Sequence, residues 1–105
     1  MAKAKKASQK PEGYQGWTNY QTWAVALWIS NEEPSYRYWR AAGKEALREH
    51  GKRDAACMLA RRLESEIEDT VSDAADKLPG MLQDILTHAV AHTDWHAIAE
   101  DILSE

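Results

Sequence analysis

The chain has 105 residues, of which 44% are hydrophobic and 29% charged, and a formal net charge of −4. That length makes one domain, and that apolar fraction supplies a core and excludes global disorder. The single cysteine, Cys57, excludes an intrachain disulfide and a cysteine zinc cluster, and no apolar run reaches the roughly 20 residues that span a bilayer.

Residues 1–13 are polar and Lys-rich and end in Pro11-Glu12-Gly13, which reads as a disordered tail ahead of a helical domain over 14–105. No apolar stretch follows the lysines, so they do not open a signal peptide. Thr18-Asn19-Tyr20-Gln21 fits a capping box with Thr18 as the cap, and a first helix is expected to follow through Ser30. Its apolar side chains, among them Trp23, Val25, Leu27, Trp28 and Ile29, cover nearly the whole circumference, which predicts a buried central helix. Trp23, Val25, Leu27 and Ile29 also alternate as a strand would; the cap and the interspersed alanines favour helix. With Phe absent, the five Trp must supply most of the large core pieces. On that reading Trp23→Ala costs about 3–5 kcal/mol, and Trp17, just ahead of the cap, is the tryptophan expected at the surface.

Pro34 suits the first turn of a second helix, with Glu32 and Glu33 opposing the positive end of its dipole, and Gly51 is its expected stop. Gly43, on the apolar side with Tyr36, Trp39, Ala46 and Leu47, would admit a close neighbour such as a Trp ring. A third helix is expected over 53–78, with Leu59, Leu63, Ile67 and Val71 inward and Glu64, Glu66, Glu68, Asp69, Asp73 and Asp76 outward. Pro79-Gly80 ends it. A fourth covers about 80–92 with Leu82, Ile85 and Leu86 inward, and Thr93 or Asp94 caps a fifth with Trp95, Ile98 and Ala99 apolar. The expected architecture is therefore all-α, a single compact domain of about five helices with a Trp-rich core.

Three polar constellations bear on function. Eight of the 13 Lys and Arg fall within 37–62, whereas eleven of the 17 Asp and Glu follow residue 62, with Lys77 as the one cation there. Arg37, Arg40, Lys44 and Arg48 form a stripe on the second helix, continued by Lys52 and Arg53, that could meet nucleic-acid phosphates. Alternatively it faces the acidic third helix, or is a solvated face with Glu45 and Glu49 interleaved. The acidic half, with Glu64, Glu66, Asp69 and Asp73, could dock on a basic protein surface or mimic DNA, or serve only solubility. The spacing of four among His88, His92 and His96 would suit zinc or nickel, but a helix start at Thr93-Asp94 breaks that row. No cofactor and no catalytic arrangement is assigned.

The run Asn19-Tyr20-Gln21-Thr22-Trp23, followed by Leu27-Trp28 and Asn31-Glu32, resembles the opening motif of a family of small uncharacterised proteins of phages, plasmids and other prokaryotic mobile elements. Asp94-Trp95-x-x-Ile98-Ala99 is similar to a second motif of that family. The two motifs bracket about 16–103. Many relatives have Glu where Ala97 stands here. The resemblance implies a mobile-element accessory protein in the host cytoplasm. The expectation is a non-catalytic binding protein, an inhibitor of a host defence or nucleic-acid-processing protein, that uses Trp17 and the acidic half; the alternative is a nucleic-acid binder using the basic stripe and the Lys tail.

Overall fold

A computed structural model of the chain describes residues 13–104, so the expected tail over 1–13 lies almost wholly outside the described residues. Four helices follow one another: α1 (Tyr20–Asn31), α2 (Glu33–Ala75), α3 (Gly80–Ala91) and α4 (Trp95–Leu103). The all-α expectation holds, but the count among the described residues is four helices rather than five. The expected second and third helices form the single element α2, with Pro34 in its first turn.

Gly51 explains both the expectation and the correction. It has φ 77° and ψ 167°, a non-helical conformation inside α2 that is essentially reserved for glycine. A straight helix of 43 residues would run about 65 Å, yet the longest dimension of the molecule is 41 Å. Contacts between Tyr38 and Glu66, and between Glu45 and Arg62, show the element folded back on itself as two antiparallel arms, 33–50 and 52–75. Gly51 is thus a hinge within α2, and the helical hydrogen bonding resumes on its far side without an intervening loop.

The core lies between these arms and α4. Trp39, Ala42, Gly43 and Ala46 come from the first arm, Ala55, Leu59 and Leu63 from the second, and Trp95, Ala97, Ile98 and Ala99 from α4. Gly43 does permit a close approach, but by aliphatic side chains rather than by an indole. A Cβ there would stand 3.1 Å from Ile102 Cγ2 and 3.3 Å from Leu103 Cδ2.

The expectation of a central first helix is overturned. α1 lies on the outside and buries only the stripe Thr22, Ala26 and Ile29. Trp28 is 64% exposed and Tyr20 56% exposed. Trp23 is only half-buried and packs edge-on against Tyr14 and at a tilt against Tyr20, with centroids 5.0 and 5.6 Å away. Its truncation should therefore cost well under a core value. Trp17 exchanges places with Trp28: it is fully buried. The cause is a tight turn over Tyr14–Trp17, closed by a reciprocal pair of 2.8 Å backbone hydrogen bonds. Gln15 and Gly16 both have positive φ, the mark of a type I′ turn, and the turn folds Trp17 under α1.

α3 is the other correction. The inward residues expected there are largely outside: Leu82 is 41% and Ile85 59% exposed, and no residue of α3 is fully buried. α3 packs chiefly on the end of α2, and its far flank, with Met81, Leu82 and Ile85, is exposed among the described residues.

Candidate interaction surfaces

Where α1 and α4 begin, side chains far apart in sequence tie both helix N-termini together. Asn19, not Thr18, caps α1: its Oδ1 accepts from the Thr22 N–H at 2.9 Å and from Thr22 Oγ1 at 2.6 Å. Asn19 Nδ2 donates to the carbonyl of His92 at the end of α3 (2.8 Å). Thr22 Oγ1 in turn accepts from the Asp94 N–H at 2.8 Å. Asp94 caps α4 by accepting from the Ala97 N–H, and its other oxygen accepts from Thr18 Oγ1 at 2.6 Å. Thr22 is fully buried, so these bonds form where unmet donors are costly. The two motifs noted in the sequence therefore meet in space as one clasp. Its polar atoms are taken up in caps and cross-ties, which gives Asn19, Thr22 and Asp94 a structural reason to be present. Ala97 supplies only a backbone N–H there, so the absence of a carboxylate at that position leaves the clasp intact.

A second knot joins the arms of α2. The Tyr38 hydroxyl donates to the Glu66 carboxylate at 2.8 Å. Arg62 donates to Tyr38 from Nη2 and to Glu66 from Nε, each at 3.0 Å, and stands 3.6 Å from Glu45. The bond to Tyr38, and then the bond to Glu66, hold the Arg62 guanidinium protonated beyond its usual range. Glu66, proposed from the sequence as a partner-binding group, is thus engaged within the protein.

The remaining carboxylates divide by helix geometry. At roughly 100° per residue, Asp69 and Asp73 lie on the side of Glu66, and Glu64 lies opposite them. Asp69 and Asp73 are exposed; Glu64 is half-buried. Between the end of α2 and α3 runs a groove of about 380 Å³, floored by Val71, Ala75 and Val90 and edged by Glu68 and Asp76.

The basic stripe is solvated except at Arg40, which is half-buried beside Tyr36, Trp39 and Asp101, and it does not pack against the acidic arm. Arg37 pairs with Glu33 in its own turn at 2.8 Å, and Arg40 donates to the Tyr36 hydroxyl at 2.7 Å. Lys44, Arg48, Lys52 and Arg53 are exposed, and among the described residues none of them forms an ion pair. His88 and His92 stack with ring centroids 4.0 Å apart, while His96 sits on α4 beside Glu100 at 3.6 Å. The break expected at Thr93-Asp94 does separate His96 from the other two. Among the described residues no group of three or more His, Cys, Asp or Glu is placed to hold a metal ion, and no helix is long and apolar enough to cross a membrane.

Two exposed features escaped the sequence reading. One is Trp28. The other is the outer flank of α3, where Met81 is 70% exposed beside Leu82 and Ile85. A signal for it exists: Met81-Leu82 and Ile85-Leu86 are adjacent apolar pairs four residues apart, too wide a stripe for a helix with one neighbour.

A family model described as a family of unknown function, DUF7249, matches residues 10–104. The match spans nearly the whole chain, so the chain belongs to that family. Neither the curated proteins nor the solved structures contain a significant match.

Proposed function

We propose that this member of the DUF7249 family is a non-catalytic binding protein of a prokaryotic mobile element, acting in the host cytoplasm on a host defence or nucleic-acid-processing protein. The resemblance to phage and plasmid proteins supports the setting. The observation that carries the binding role is the exposed carboxylate face of the second α2 arm, Asp69 and Asp73, in a half of the chain where Lys77 is the one cation. Trp17 is not part of this surface, because it is buried, and Glu66 is set aside because it serves the knot with Tyr38 and Arg62. Affinity capture from host lysate tests the reading. Asp69→Asn with Asp73→Asn should reduce recovery of a captured basic protein severalfold while the melting curve stays put; unchanged recovery argues against it.

The alternative of nucleic-acid binding rests on one observation: Lys44, Arg48, Lys52 and Arg53 are exposed and lack ion-pair partners among the described residues. Duplex or single-stranded DNA should then shift in a gel at low salt, and the shift should fade steeply as salt rises. No shift at low salt removes this reading.

A further inference from the structure

We infer that the outer flank of α3 is a docking surface for a basic amphipathic helix of a partner protein. This deepens the proposed binding role and rests on it. Met81, Leu82 and Ile85 stand 70%, 41% and 59% exposed on one short helix, and α3 buries none of its own residues fully. Met81 and Ile85 are one helical turn apart with Leu82 beside them, so they form a continuous apolar strip. That strip lies on the flank away from Gln83 and Thr87, which line the groove against α2. Methionine in such a strip suits a surface that must fit a helix of variable outline.

Charge decides between the occupants an apolar strip could have. Asp84 lies on α3 itself, next to Met81 around the helix, and eleven Asp and Glu follow residue 62. Lys77 is the only Lys or Arg from residue 63 to the end of the chain. A second copy of this chain would bring the same carboxylates face to face, and an anionic lipid surface or nucleic acid would meet the same repulsion. A helix with an apolar stripe bordered by Lys or Arg meets both demands: it covers the strip, and its cations face Asp84 and the field of the acidic half.

The probe is a fluorescein-labelled 18-residue peptide of Leu and Lys, with Leu at i, i+3, i+4 and i+7, titrated into the full chain and read by anisotropy. Ile85→Asp and Met81→Asp should each weaken binding at least tenfold. Both add negative charge, so a loss reports the apolar strip and not the field. A peptide of the same composition with its Leu scattered should bind at least tenfold more weakly, and Asp84→Asn should lower affinity and flatten its salt dependence. Circular dichroism shows whether each variant is folded; these sites are exposed, so the melts should match wild type. Equal binding of the scattered peptide, or of the Ile85→Asp variant, would overturn the inference. So would a dimer in sedimentation velocity that Ile85→Asp dissolves, which would assign the strip to a second copy. Sedimentation with vesicles containing anionic lipid, if abolished by Ile85→Asp, would assign it to a membrane and overturn the inference too. Lysate capture through Asp69 and Asp73 separates the two levels. If capture persists while the strip proves irrelevant, this inference alone falls; if capture is also indifferent to those carboxylates, the binding role falls with it.

Discussion

The clasp and the outer flank of α3 lie at opposite ends of a scale of tertiary constraint. At the clasp, Asn19, Thr22 and Asp94 each satisfy donors or acceptors from two separate segments, and Trp17 and Trp95 on either side of it are buried. On α3, helix formation is complete but the apolar side chains find neighbours on one flank only. The residues that resemble a family motif most closely thus do architectural work, and the residues free to meet a partner belong to an inconspicuous helix. Identity at a motif and availability for binding are separate properties of this chain.

Perturbing the two regions should give effects of very different size. The largest belongs to the tryptophans beside the clasp: Trp17→Ala or Trp95→Ala should cost about 3–5 kcal/mol in urea unfolding. A small loss at Trp17 would mean that the turn over Tyr14–Trp17 does not hold it in the core. Next is Asp94→Ala, which removes the α4 cap and the acceptor for Thr18 together; about 2–3 kcal/mol is expected. Gly51→Ala follows, at about 1–2 kcal/mol. Nothing lies within 4 Å of a Cβ placed there, so the cost is purely one of backbone conformation; a neutral result would show that the two arms do not depend on this hinge. The smallest effect is on α3, where Ile85→Ala or Met81→Ala should change stability by less than about 0.5 kcal/mol. A loss at Ile85 comparable to that at Trp95 would erase the contrast and, with it, the case for a free binding strip.

What could be read from the residues alone follows the range of the physics. The Asp94 cap, Pro34 in a first turn, the break at Gly51 and the end before Gly80 all depend on groups a few residues apart, and each is found near its expected place. The cap lies one position later than expected: Asn19 accepts from the Thr22 N–H, while the Thr18 hydroxyl donates to Asp94, 76 positions away. Trp17 lies in the core and not at the surface because two positive-φ positions in a row, Gln15 and Gly16, turn the chain under α1. Among the candidate binding residues, Asp69 and Asp73 remain exposed, and Glu66 could be excluded only by seeing Tyr38 and Arg62 beside it.

The sequence by itself determined that this protein is helical, where α1 and α4 begin and the turn ahead of α3 falls to within a few residues, and that its charge is divided between a basic middle and an acidic second half. These follow from short-range hydrogen bonding, backbone sterics and composition. The tertiary structure alone decided which side of each helix is covered. α1 is apolar nearly all round yet buries one narrow stripe, and α3 leaves the apolar strip Met81, Leu82 and Ile85 exposed among the described residues. Periodicity specifies a face that is able to be buried; whether it is buried depends on how many neighbours the fold brings to it.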